Sequence, residues 1–161
     1  MPEPYLFLKK VKEYIGEVSN VYRYLLQYKE NDMVAVEDEL KFTESYLYIL
    51  SERFESGLQV EISIGERTRK TSLPPLALQT LVENAVKHNI VSPARPLYLE
   101  ITDNDEFIVV RNNLQLKHSL PNDSSQSGLK NIHERYGLLA NKEIVIEKTA
   151  THFIVKLPVL V

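Results

Sequence analysis

Five polar side chains crowd the end of the segment "LPPLALQTLVENAVKHN", residues 73–89: Glu83, Asn84, Lys87, His88 and Asn89. On a helix, Asn84, Lys87 and His88 stand three and four residues apart and share one side, while Leu78, Leu81, Val82 and Ala85 form the apolar side. An amide, an ammonium and an imidazole on one surface suit a polyphosphate and its metal ion. The Asn carbonyl oxygen is a neutral ligand for Mg²⁺, Lys is a point charge, and His is a further donor to phosphate oxygens. The same residues also dress a helix C-terminus, where cations and Asn are favoured in any protein. From this segment in isolation, both readings stand.

Other chemistries find little foothold. The chain has no cysteine, which removes disulfides, thiolate nucleophiles and Cys-ligated zinc together. Five glycines leave no Walker or Rossmann loop, and neither H-E-x-x-H nor G-x-S-x-G occurs. A net charge of -3, with both signs interspersed, gives no basic field, so nucleic acid is not an expected partner. No apolar run approaches the roughly 20 residues that span a bilayer, and "MPEPYLFLKKVKEYIG" has no secretory core. A soluble, cytoplasmic chain is expected, with any membrane anchor of a longer parent lying upstream.

The elements that must position the polar cluster follow from periodicity. At 161 residues and 43% hydrophobic content the chain is sized for one domain plus a short appendage. Leu8, Val11, Ile15, Val18, Tyr22 and Leu25 are spaced 3, 4, 3, 4, 3, the rhythm of a helix that packs on other helices. That helix is either half of a helical hairpin or dimer seam, or a surface helix docked on its own domain. A second helix restarts at about Glu37, with Leu40, Thr43, Leu47, Leu50 and Phe54 on one stripe, and ends before Gly57. "GLQVEISIG" alternates as a half-buried strand, "ERTRKTSLPP" is a polar connection, and Pro75 suits the first turn of the helix that carries the cluster. "PLYLEITDNDEFIVVRNN" predicts a hairpin about Asp103, Asn104 and Asp105. "LQLKHSLPNDSSQS" has no usable period and reads as a long loop that moves or binds. "GLKNIHERYGLLA" is a helix, and "KEIVIEKTATHFIVKLP" a second hairpin about Thr149, Ala150 and Thr151. The order predicts an α+β two-layer sandwich, a mixed or antiparallel sheet with helices on one face, plus the N-terminal helix.

Here the chain resembles a family. "LPPLALQTLVENAVKHN" is similar to the N-box of the GHKL (Bergerat-fold) ATP-binding domain in LytS-type sensor histidine kinases, whose consensus runs roughly "PPLLLQPLVENAIKHG". The stretch "VYRYLLQYKENDMVAVEDELKFTESYLYILSERFESGLQVEISI" resembles the family's "RY…V.L..EL.F...YL.I...RF...L", and "SGLKNIHERYGLL" its G2 box, "GIGLKNIRERL". The resemblance runs from about Val18 to the C-terminus.

It implies a mixed, mostly antiparallel sheet under helices, with ATP and Mg²⁺ between the N-box helix and a mobile lid at about 114–127. Residues 1–30 would be the C-terminal helix of the dimerisation region and residues 31–161 the ATP-binding catalytic domain. Carried over residue by residue, Asn84 would hold Mg²⁺, and Lys87 and His88 would contact phosphate oxygens. Gly128 would let the backbone approach the phosphates at a helix start, flanked by Ser127 and Leu129. Glu83 would be a supporting group, since a hydrolytic base of this superfamily would sit a turn earlier, at Thr80. Implied partners are ATP, a histidine-bearing dimerisation domain of the same protein, a response regulator, and a second copy in a homodimer.

Three departures qualify the match. The family's D-x-G box, whose Asp accepts from the adenine amino group, is replaced by Asn112 and Leu114. A neutral carbonyl accepts that bond more weakly, by about 1 kcal/mol. The first glycine of the G2 box has become Gln126. No phosphoacceptor box occurs, for the four histidines are His88, His118, His133 and His152, none in that setting. Two expectations follow: a histidine kinase fragment that does not phosphorylate itself or, as the alternative, a nucleotide-weak or nucleotide-free scaffold and dimerisation module. A kinase acting on protein serine has less support, because the N-terminal region resembles a dimerisation helix.

Overall fold

The computed structural model describes residues 3–118 and 125–161, and of Ser125 and Gln126 the backbone alone. In chain order the elements are α1 (Glu3–Tyr28), β1 (Val34–Ala35), α2 (Val36–Phe54), β2 (Leu58–Ser63), α3 (Glu66–Arg69), β3 (Ser72–Leu73), α4 (Ala77–His88), β4 (Leu97–Asp103), β5 (Phe107–Asn113), α5 (Ser125–Ala140), β6 (Val145–Lys148) and β7 (His152–Pro158).

Five strands form one mixed sheet in the order β2-β4-β5-β7-β6. The β2 and β4 strands pair in parallel, Leu58 opposite Leu97, so the chain between them must cross over, and α4 lies in that crossover. The other pairings are antiparallel. Alternation decides which face is inward: Leu97, Leu99 and Ile101 of β4, Ile108 and Val110 of β5, and Val155 and Leu157 of β7 are buried. Against them pack Leu78, Leu81, Val82 and Ala85 of α4 and Ile132 and Tyr136 of α5, one continuous core. The opposite face carries the ion pairs Arg111–Glu100 at 3.4 Å and Lys156–Glu147 at 2.9 Å. The expected two-layer sandwich with helices on one face is the observed architecture.

Two small elements lie outside the expected pattern. Val34–Ala35 and Ser72–Leu73 pair as a two-stranded antiparallel sheet, and Glu66–Arg69 makes one helical turn within the polar connection. A two-residue strand carries no period to detect. Gly57 is fixed by close approach rather than by torsion: a Cβ there would meet the Ser92 backbone at 2.8 Å.

The start of α4 differs from expectation. Pro75 is not in its first turn; the helix begins at Ala77, and Leu76 before it adopts the left-handed conformation, φ 68°. For a residue with a Cβ that conformation costs about 1–2 kcal/mol. It is held from outside α4 by Glu39 of α2, a residue with no exposed surface. Glu39 Oε1 accepts the Leu76 N–H at 3.0 Å and the Tyr24 hydroxyl at 2.6 Å, while Oε2 accepts the Leu78 N–H at 3.4 Å. Burial holds the Glu39 carboxyl above the usual carboxylate range, against the opposing pull of these donors. Burial, then the neighbouring Glu39, pushes the Tyr24 hydroxyl well above the ordinary tyrosine value.

The first helix is largely uncovered. Tyr24 is its one buried residue, whereas Leu8 and Ile15 of the predicted stripe are 62% and 58% exposed. No helix among the described residues is long and apolar enough to cross a membrane.

Candidate functional site

The polar end of α4 faces a cavity of about 140 Å³, close to the roughly 150 Å³ that admits a benzene ring. Its lining combines Asn84, Ala85, His88 and Asn89 of α4 and its C-terminal cap, Asn112 of β5, Leu114 and Leu116 beyond that strand, Leu129 of α5, and Lys148 and Phe153 of the last hairpin. Apolar side chains dominate the walls, with a few polar groups converging on them, the usual make-up of a small-molecule site.

Two of those polar groups are unsatisfied. Asn84 Nδ2 and His88 Nε2 are buried with no hydrogen-bond partner among the described residues. A buried polar atom left unpaired costs about 1–3 kcal/mol, so the Asn84 amide is set for an acceptor and the His88 ring nitrogen for a partner that the described residues do not supply. No group of three or more His, Cys, Asp or Glu capable of holding a metal exists among the described residues. A Mg²⁺ here would rest on the Asn84 carbonyl oxygen and on oxygens brought by a phosphate ligand, and the neutral amide fits that donor set.

Sheet register places Asn112. It lies opposite Leu99 on one side and Phe153 on the other, on the inward face, and is 4% exposed. Its Nδ2 donates to the Asn113 carbonyl at 2.8 Å, so the group left to a ligand is its carbonyl oxygen. Gly128 sits against the site helix: a Cβ there would meet Thr80 Cγ2 at 2.9 Å, with both Asn84 amide atoms at 3.9 Å. Leu129 enters the cavity lining, and Ser127 is exposed beside it.

The structure therefore brings together Asn84, His88, Asn112, Gly128 and Leu129. Lys87 it places differently, on the neighbouring flank of α4. There it lines a second groove with Glu83, Arg53 and Lys117. Glu83 is exposed and accepts from Gln79 Nε2 at 2.9 Å, away from the cavity.

The predicted lid is not one free loop. Its beginning is tied down: the Leu114 N–H donates to Thr151 O at 2.8 Å, and the Lys117 N–H to His88 O at 2.9 Å. Gln115 donates through its side chain to the carbonyls of Ile90 at 2.6 Å and Arg95 at 2.7 Å, and through its N–H to Asn89 Oδ1 at 2.8 Å. Its last residues, 125–127, belong to α5. Residues 119–124 lie outside the described residues. Asn89, first read as part of a polar helix end, is thus a pin. It is 2% exposed, and its Nδ2 donates to Ala85 O at 2.9 Å while its Oδ1 holds Gln115.

Sequence reasoning noted Asn89 without a role in the site and missed Lys148 and Phe153. Phe153 falls in phase with Val155 and Leu157, so alternation marks it as inward. Only the pairing of β5 with β7 brings it beside Asn112.

A family model described as Histidine kinase matches residues 8–58. The sensor protein LytS of Staphylococcus saprophyticus is 35% identical over 80 residues, half of this chain and 14% of that protein. The sensor protein LytS of Bacillus cereus is 26% identical over 154 residues, 86% of this chain and 26% of that protein. The chain thus spans between about a seventh and a quarter of the length of these relatives. Among solved structures, the cytoplasmic segment of histidine kinase QseC superposes with a TM-score of 0.52, covering 82% of this chain and 80% of that one at 16% identity, a likeness of fold. Sequence and fold agree: the chain resembles LytS-type sensor histidine kinases in sequence and has the fold of a histidine kinase catalytic domain.

Proposed function

We propose that the chain is the ATP-binding catalytic portion of a two-component sensor histidine kinase. It passes the γ-phosphoryl group of ATP to a histidine outside this chain, from which a response regulator takes it. The observation that carries this is the pair of orphaned buried nitrogens, Asn84 Nδ2 and His88 Nε2, on residues lining a cavity with the dimensions of an aromatic ring. In this reading the base lies among Phe153, Leu129, Leu114 and Leu116, and its amino group donates to Asn112. Asn84 and His88 meet the phosphate tail, and Gly128 admits it to the start of α5. Ser127 lies beside the cavity, and Lys87, from the neighbouring flank of α4, would add a cation to the outer phosphates. Magnesium, when bound at Asn84, neutralises charge on the transferring group. The protein's own part is positioning and charge, since phosphoryl transfer asks little covalent chemistry of it.

The exposed stripe of α1 supports a homodimer in the longer protein, with this portion in the cytoplasm and upstream segments as anchor. No phosphoacceptor box accompanies it, so the chain by itself acquires no acid-labile phosphate.

Thermal melting with millimolar MgATP or a nonhydrolysable analogue tests the assignment. Binding to the folded state raises the melting temperature by mass action, and Asn84→Ala abolishes the rise. A second reading, a scaffold that holds nucleotide weakly or not at all, is favoured by one observation, the neutral Asn112 where the family carries a charged Asp. An unmoved melting temperature selects it.

A further inference from the structure

The first turn of α4 sets where Asn84 and His88 point, and its hold comes from another helix. No side chain caps α4 from within its own segment. The Leu76 carbonyl accepts both the Thr80 N–H, at 3.0 Å, and the Thr80 hydroxyl, at 2.8 Å. Thr80 in turn is the side chain against which Gly128 packs. Thr80, Asn84 and His88 follow at intervals of four on one face. A change in the torsions at Leu76 rotates that whole face, and each residue step of a helix is about 100°. The conformation of Leu76 is fixed in turn by the Glu39 carboxyl, which spans the N–H groups of Leu76 and Leu78.

The same carboxyl oxygen that takes the Leu76 N–H also takes the hydroxyl of Tyr24, the only buried residue of α1. The Tyr24 ring is clamped as well, stacked on Phe42 of α2 with centroids 4.2 Å apart. One buried carboxyl thus joins the last turns of an otherwise exposed helix to the first turn of the site helix.

We propose that Glu39 is a positioning residue for the nucleotide site, and that the Tyr24 hydroxyl makes this positioning depend on where α1 lies. The proposal rests on the nucleotide reading of the cavity. It gives α1 a route to the site that needs no contact with the ligand: a twist or shift of α1 withdraws a donor from Glu39, loosens Leu76 and turns Asn84 and His88 relative to Asn112.

The test uses the full chain as wild type, Glu39→Gln, Tyr24→Phe and, as a core control on the sheet, Ile101→Val. Each is titrated with a fluorescent ATP analogue and Mg²⁺, and amide exchange of residues 76–80 is followed by mass spectrometry, which reports local opening. Glu39→Gln keeps the volume but places an amide donor against an N–H, and with one hydrogen bond lost it is expected to weaken binding about tenfold and to speed exchange at 76–80. Tyr24→Phe keeps the ring packing and is expected to shift both readouts in the same direction, by about threefold. Ile101→Val lowers the melting temperature and moves neither.

Wild-type protein that binds no analogue overturns the nucleotide reading and this role with it. Wild type that binds, beside Glu39→Gln that binds equally well with unchanged exchange at 76–80, overturns the positioning role alone. A Tyr24→Phe protein indistinguishable from wild type in both readouts overturns the link to α1.

Discussion

Asn112 is one of three places where the sequence departs from the pattern it resembles, and its surroundings say what the departure costs and gains. At 4% exposure, with its Nδ2 donating to Asn113 O, it is a satisfied neutral group in a nearly dry place. Asn112→Asp replaces that donor with a second acceptor and buries a charge. The unliganded protein is expected to lose about 1–3 kcal/mol in urea unfolding, while affinity for the ATP analogue rises about fivefold through a charged hydrogen bond. An affinity that falls with the stability would show that the base amine is not received there. Tyr136 offers the converse case. Its hydroxyl is buried without a partner among the described residues, and burial pushes its pKa above the ordinary tyrosine value. Tyr136→Phe is expected to leave stability unchanged or raise it by up to about 1 kcal/mol, because an unpaired buried hydroxyl contributes only its desolvation cost. A clear loss of stability would reveal a hydrogen bond made by that hydroxyl in solution.

At the scale of elements, the site depends on three junctions: the Asn89 pin, the Gly128 contact and the tight passage at Gly57. Asn89 fastens the strand exit at Gln115 to the end of α4, so the start of what sequence marked as loop, at Leu114 and Leu116, is part of the cavity wall. At Gly57 the approach to Ser92 is backbone to backbone, with the three nearest atoms at 2.8–3.0 Å from an added Cβ. Gly57→Ala must therefore displace the segment that leads into β4, and is expected to cost about 1–3 kcal/mol in thermal or urea unfolding. A loss below about 0.5 kcal/mol would mean that the segment gives way freely. The α1 stripe belongs to the same scale. Its 3, 4 spacing was legible because helical periodicity survives whether or not a partner is present. That the domain itself leaves the stripe uncovered is a fact of packing.

Across the whole molecule, the titrating groups buried near α4 set an alkaline limit. Tyr24 and Tyr136 keep their protons in the folded state well past the usual value of 10.0. Below pH 10 both states are neutral and the contribution to stability is full; above it the unfolded chain ionises first, so stability falls by about 1.4 kcal/mol per pH unit for each tyrosine. Tyr24→Phe is expected to make that slope shallower in urea melts between pH 10 and 11. Equal slopes for variant and wild type would place the titration elsewhere. Glu39 acts in the same sense from lower pH, its contribution full in acid and lost as pH rises through its raised value.

The five strands of the main sheet, the long helices and the polar face of α4 were written in local periodicity, because alternation and the 3.6-residue repeat are properties of neighbouring residues. So were the motifs that carry the family resemblance. Three things waited for tertiary contact: the parallel pairing of β2 with β4, the meeting of Asn112 with Phe153, and the hold of Glu39 on Leu76. Residues 37 and 26 positions apart, such as Glu39 with Leu76 or Asn89 with Gln115, leave no local signature. Their pairing is decided by which buried donors and acceptors find one another once the layers close.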